Sequence, residues 1–337
     1  SNMEGNASPE NIDRQNIPAR FKMMAAVNFN NPSRKMYNWY EAKPPLVREG
    51  TGLTPVDWFG RTMCDNLPEE VKIGVVVVAI GGCKIEDLDK DFDPVTRLAN
   101  EADWFKNYMK AYDNYPYKRL LACAKEAQKV GVIKGMLLHQ GCSNNGDQLW
   151  PTKVKKLYND LLTDLNLKAE DVPLLAGELA TQEMGGSCWW HNTIIQTLPK
   201  TIPTAHVISA ANLPQKGDGL HFSAHGYRVL GCRYATKMLH LLGVAHPTVA
   251  YVEEQPIDLH PVPTEWDHQL DFNYFKGAIH GDGLFNNKRG VNIFMPGADC
   301  CGGWEWLDTP LDLSAYKYLV AEIEEKQTLG LKMQVWD

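Results

Sequence analysis

Val71-Lys72-Ile73-Gly74-Val75-Val76-Val77-Val78-Ala79-Ile80 is the stretch that decides the fold, a nearly unbroken β-branched run that stops at Gly81-Gly82. β-Branched side chains suit a pleated backbone. A run apolar on both faces is what a central parallel strand needs, because helices cover it above and below. Outward from it the chain alternates. Upstream, Thr54-Pro55 sets an N-cap before a proline at the first helical position and predicts a helix to about Asn66. Downstream, Leu120, Leu121, Ala124 and Ala127 share one face of a helix over 117–130, followed by a strand over 132–138. Val154, Leu157, Leu161 and Leu165 mark the next helix, over 152–165. Strands over 172–176 and 206–210 flank a helix over 187–198, and a last helix, capped by Ser223, reaches Leu242. Strands alternating with helices predict an α/β domain with a parallel sheet covered on both faces. Ligands of open sheets bind beyond the carboxyl ends of the strands. The loops at Gly81, Gln140, Glu178 and Ala211 should therefore converge on one edge. Before about Gly60 the chain reads as irregular.

After Gly243 the character changes. Residues 246–265 are rich in proline and acid and read as a linker. Over 266–337 the pattern becomes short β-type segments (Val291 to Phe294, Tyr316 to Ile323, Leu331 to Trp336). This accessory region reads as β-sandwich-like, cut off in mid-strand. Residues 1–245 form the main domain in this reading. Over 337 residues, 44% are hydrophobic, enough for a substantial core. A formal charge of −7 with scattered Lys and Arg argues against nucleic acid or an anionic membrane surface as partner. No apolar run is long enough to span a bilayer. Eight cysteines show no zinc-like spacing, which leaves the redox compartment undecided; Cys300-Cys301 alone suggests pairing elsewhere.

The chemistry gathers on Gly217-Asp218-Gly219-Leu220-His221-Phe222-Ser223. Two glycines let the backbone bend so that Asp218 can accept a hydrogen bond from the ring of His221. That bond fixes the tautomer and leaves the other ring nitrogen to take a proton from a nucleophile. The competing reading is a turn-capping Asp and a surface His.

Four blocks in order resemble the SGNH hydrolases, in particular the sialate O-acetylesterase and acetylxylan esterase branch of the carbohydrate esterases. They are Ser1-Asn2-Met3-Glu4-Gly5, Ile80-Gly81-Gly82-Cys83, His139-Gln140-Gly141 and Asp218-Gly219-Leu220-His221-Phe222. The resemblance covers roughly residues 1–243 and implies a three-layer α/β/α, flavodoxin-like domain. It implies Ser1 as nucleophile, His221 as base and Asp218 as orienter. The Gly-Gln before the family's serine is absent here, so upstream residues, or another segment in their place, are expected to hold Ser1. Where the family continues Gln-Gly-Glu, this chain reads Gln140-Gly141-Cys142, which leaves Asp218 as the one well-placed carboxylate for His221.

Ester hydrolysis by serine also needs donors aimed at the developing oxyanion. Gly82 can offer its backbone N–H unobstructed; Gln140 is the first choice for a side-chain amide and Asn144 the second. Trp189, Trp190, His191 and Asn192 are candidates for a sugar cleft, with core packing as the plain alternative. Glu178 reads equally as a pocket residue or a satisfied buried carboxylate. His221 and His225 lack a third metal ligand at suitable spacing. Cys83 and Cys142 read as packing residues. The expectation is a cofactor-free serine esterase acting on acetylated oligo- or polysaccharide, acetylxylan first and sialate O-acetyl esters next. By family resemblance it is exported to the periplasm or cell exterior. A non-catalytic carbohydrate-binding protein and a metal-dependent hydrolase are the rival readings.

Overall fold

The β-branched run forms less strand than its length allows, and its partner comes from a stretch with no strand signal. A computed structural model describes residues 2–251, together with the backbone of 275–280 and 301–306. Its first sheet holds β1 (Phe21–Met24), β2 (Trp39–Glu41) and β3 (Ile73–Val76) in the order β2-β1-β3. β3 runs parallel to β1, with Phe21 opposite Ile73 and Met24 opposite Val76, and β2 closes the edge antiparallel. The irregular reading before Gly60 is therefore corrected. Phe-Lys-Met-Met has neither β-branching nor alternation. Its extended form follows from pairing and from burial of Phe21, Met23 and Met24, all 0% exposed.

The second sheet holds β4 (Met136–Leu138), β5 (Leu174–Gly177) and β6 (Ala205–Ile208), all parallel, in the order β4-β5-β6. Among the described residues β3 and β4 share no ladder, so the four expected strands fall in two sheets rather than one. The faces of the β-branched run differ accordingly: Val75, Val77 and Ala79 are buried, Val76 and Val78 half-buried. β5 is buried along its whole length, as a strand covered on both faces must be.

The long helices are α1 (Pro55–Asn66), α2 (Asp103–Lys110), α3 (Pro116–Gln128), α4 (Trp150–Asp164) and α5 (Ala224–Leu241). α1 opens as expected: the Thr54 hydroxyl accepts from the backbone N–H of Val56, and Asp57 returns a bond to Thr54 N. α1 and α5 cross closely at Gly231, where an added Cβ would lie 2.2 Å from the Pro55 carbonyl oxygen. From the other side of α5, Tyr234 donates to the Leu138 carbonyl at 2.6 Å, which fixes the exit of β4. A buried ion pair completes the frame. Arg228 of α5 takes both oxygens of Asp13 at 2.9 and 2.7 Å, and Trp58 of α1 donates to the same carboxylate at 2.8 Å. The helix expected over 187–198 is broken into a 3₁₀ turn at Trp189–His191 and short helices at Asn192–Ile195 and Leu198–Thr201. Pro199 opens the last of these, because proline cannot continue a helix already begun.

The chain divides into two compact units, Ser1–Glu254 and Gln255–Asp337. In the second, β7 (Phe275–His280) pairs antiparallel with β8 (Cys301–Trp306), Phe275 opposite Trp306. The other β-segments expected over 266–337, and most of the expected linker, lie outside the described residues.

Candidate active site

The turn after β6 is built by its own short-range bonds. Gln215 pairs with Phe222 across its base, and the Gln215 side-chain carbonyl accepts from Gly217 N at 2.5 Å and Gly219 N at 2.9 Å. Gly217 (φ +102°) and Gly219 (φ +72°) take the left-handed backbone that the turn requires. Gly219 has a second reason to be glycine: a Cβ there would meet the Ser187 hydroxyl at 2.3 Å. Asp218 is thereby folded back over the turn. Its Oδ1 accepts from the N–H groups of Leu220 and His221, each at 2.9 Å, and its Oδ2 lies 2.7 Å from His221 Nδ1. Partial burial pushes the Asp218 pKa up, but the His221 N–H, the His221 ring and the Leu220 N–H outweigh it and hold it at about 2. Beside an ionised carboxylate, Nδ1 carries the proton. Nε2 has no hydrogen-bond partner among the described residues.

The amino-terminal segment reaches this turn. Ser1 itself lies outside the described residues. Asn2–Glu4 forms a 3₁₀ turn, and Met3 N donates to the carbonyl of His139, the residue after β4, at 2.9 Å. The Asn2 side-chain amide donates to Leu220 O at 3.3 Å and to Cys142 Sγ at 3.2 Å. Glu4 is paired with Arg48 at 2.6 Å and lies against Gly81, and the Arg48 guanidinium stacks on Tyr108, 3.8 Å from the ring centroid. The segment is thus pinned between the β3 and β4 loops and touches the Asp218–His221 turn. His139 is enclosed there, stacked on Phe222 with centroids 5.6 Å apart; burial drives its pKa down to about 4, so it is neutral at neutral pH.

Of the donors expected for an oxyanion, Gly82 alone remains available. It sits at φ +75° on the exposed loop after β3, and its N–H carries no hydrogen bond among the described residues. Gln140 is corrected: it is 1% exposed, its amide N–H groups go to Cys83 O (3.3 Å) and Asn144 Oδ1 (2.8 Å), and its carbonyl accepts from Trp150 Nε1 at 2.6 Å. Asn144 is corrected likewise. Its Oδ1 also accepts from Ile85 N at 2.8 Å, and its Nδ2 donates to Glu86 at 2.8 Å and Asp147 at 3.3 Å. Both amides tie the β4 loop to the β3 loop and have no hydrogen left for a substrate.

The proposed sugar-contacting set also splits. Trp189 and Trp190 reach the surface, 39% and 38% exposed. His191 is fully buried, with Nδ1 accepting from Gly146 N at 3.2 Å, and Asn192 uses both amide atoms on the backbone of Leu179. Neither can line a cleft. Glu178 is a satisfied buried carboxylate, taken by Gln196 at 2.7 Å and by Ala210 N at 3.0 Å, and so braces β5 to β6. His225 bonds Tyr251 at 2.9 Å. Burial pushes the Cys83 thiol well above its usual range and that of Cys142 up to about 12, which suits packing and not nucleophilic attack. Two aromatic residues at the site had no sequence signal, Trp104 and Tyr108 on α2. Their helix begins without a capping residue, and Trp104 announces itself only by its contact with Gly82.

A family profile described as carbohydrate esterase, sialic acid-specific acetylesterase, matches residues 1–240. Two solved structures share the fold. One is a protein from Arabidopsis thaliana, 21% identical, covering 71% of this chain and 94% of its own, with a TM-score of 0.53. The other is described as a novel carbohydrate acetylesterase from Xanthomonas citri, 18% identical, covering 72% of this chain and 54% of its own, with a TM-score of 0.50. With parallel strands, a carboxylate–imidazole turn after the last of them and the family match over most of its length, this chain belongs to the carbohydrate esterase family of sialic acid-specific acetylesterases, an α/β group of SGNH-type carboxylic ester hydrolases.

Proposed function

We propose that the protein is a serine esterase that removes acetyl groups from an acetylated carbohydrate, with acetylated plant polysaccharide such as xylan as substrate. The observation that carries the reading is the 2.7 Å contact of Asp218 with His221 Nδ1, made on a turn that also meets Asn2. In this reading Ser1 Oγ attacks the acetyl carbonyl while His221 Nε2 takes its proton. Asp218 holds the ring in the required tautomer and stabilises the imidazolium that forms. The tetrahedral oxyanion is received by the N–H of Gly82. The imidazolium returns its proton to the departing sugar oxygen, and a water deprotonated by the same nitrogen releases acetate from Ser1. Removing one oxyanion donor typically costs about 3 kcal/mol of barrier. The route calls for no cofactor, and a polymeric substrate would place the enzyme outside the cytoplasm. Sialate O-acetyl esters are the second reading, favoured by the description of the matching family.

Turnover of 4-nitrophenyl acetate, insensitive to chelator, with a serine-directed phosphonate recovered on the Ser1 peptide, is the expected result. A trapped peptide that lacks Ser1 would remove the nucleophile from this scheme. Acetate release from acetylxylan measured against that from O-acetylated sialic acid ranks the two substrates. Binding of xylan without turnover of any ester would favour the non-catalytic reading.

A further inference from the structure

Trp104 is the most exposed aromatic side chain near the site, and it is also one of the best held. At the start of α2 the residue is 53% exposed. Beneath it, Phe105 (1% exposed) meets it edge-on with centroids 5.7 Å apart, and Tyr108, one turn further along, does the same at 5.6 Å. Tyr108 is in turn clamped under Arg48, which is paired with Glu4 of the amino-terminal 3₁₀ turn. The six-membered ring of the indole reaches over Gly82 so closely that a Cβ there would lie 2.8 Å from it. One wall of packed aromatics therefore fixes an exposed indole next to the Gly82 N–H, unpartnered among the described residues, and couples it to the segment that follows position 1.

Apolar surface of this size, held in place and left exposed among the described residues, costs hydration without a return inside the fold. Its width exceeds what a two-carbon acyl group can cover. It matches the C–H face of a pyranose ring, whose weakly positive hydrogens are drawn to the negative face of the indole. We propose that Trp104 is the specificity-determining platform of this esterase, stacking on the sugar ring whose acetyl carbonyl is presented to Gly82. The proposal rests on the esterase reading above and adds the group that selects a sugar ester over a simple one.

The test uses the full chain and two probes, acetylated xylotetraose and ethyl acetate, which has no ring to stack. The quantity read is the ratio of kcat/KM for the first to kcat/KM for the second. Trp104→Ala should lower this ratio about tenfold, mainly through KM for the oligosaccharide. Trp104→Phe, which keeps an aromatic face, should recover at least half of it. A ratio within twofold of the parent in Trp104→Ala overturns the platform, whether or not the absolute rates change. So does a Trp104→Phe variant no better than Trp104→Ala. A parent protein that hydrolyses neither ester overturns the esterase reading itself and so is told apart from a failed platform. Thermal midpoints of both variants identify any loss that comes from unfolding, and Trp104→Phe carries the test where Trp104→Ala unfolds.

Discussion

Two loops on the same rim carry polar side chains of similar promise, and they commit them in opposite ways. In the 215–222 turn the carboxylate and imidazole satisfy each other within three residues, and one ring nitrogen has no partner among the described residues. In the 139–147 loop, Gln140 and Asn144 are drawn into bonds with residues from the β3 loop and α4, until no hydrogen is left over. The first loop pairs a carboxylate with an imidazole on a turn supported by glycines; the second is a rivet. An amide beside a reactive block is as easily a fastener as a donor, and which it is depends on partners far away in sequence.

The largest effect should come from the turn. His221→Ala is expected to lower kcat by on the order of 10⁴ or more, because in the proposed mechanism base and orienter act as a unit. Asp218→Asn should cost on the order of 10⁴, by favouring the wrong tautomer. Steady-state rates on an acetyl ester check both; a loss under tenfold for either would break the contrast at its strong end. Next comes the rivet. Gln140→Ala removes three buried bonds, so it should destabilise the fold by about 2–4 kcal/mol in urea titration while kcat of the folded fraction falls less than tenfold. The reverse pattern, intact stability with kcat down about 10²–10³, would restore Gln140 as the oxyanion donor.

Gly82→Ala sits between the two loops in kind. A side chain at φ +75° meeting Trp104 at 2.8 Å must shift the indole or the loop. Backbone strain of about 1 kcal/mol is expected, together with a loss in kcat/KM of tenfold or more. Differential scanning calorimetry and kinetics on one preparation separate these two parts.

A last contrast lies in pH, read in stability and not in turnover. Asp218 is held at about 2 against a reference of 3.8, so its contribution to stability is complete above 3.8 and is lost as pH falls through about 2. Asp57, capping α1 in full burial, has the opposite sign. Burial, helped by Asp13, raises it to about 8 despite the Thr54 N–H bond and nearby Arg61. The folded state keeps a proton that the unfolded chain has shed, so stability should decline as pH rises from 3.8 through about 8. Asp57→Asn should flatten that decline and Asp218→Asn the acid one, each read from denaturation midpoints across pH. If neither slope changes, the two carboxylates do not differ in the way the geometry requires.

Much of this could be read from the residues because the signals were local. The cap at Thr54, the β-branched run before Gly81, the helix after Ser223 and the Asp218–His221 spacing each depend on neighbours within one or two turns of chain. Strand β1 was hidden because Phe-Lys-Met-Met takes its form from β3, some fifty residues on. The break in the helix after Ser187 was hidden for a related reason: His191 and Asn192 are bound to the β4 and β5 loops, which overrides the periodicity of their own segment.

The sequence by itself determined that strands and helices alternate and that the carboxylate can close on the imidazole, since those outcomes need only backbone preference and short contour length. Tertiary structure alone decided the rest: that two amides would be fully bonded, that the strands would fall in two sheets, and that an indole would rest on Gly82. Each of these joins groups tens of residues apart, and the chain's own periodicity holds no record of such meetings.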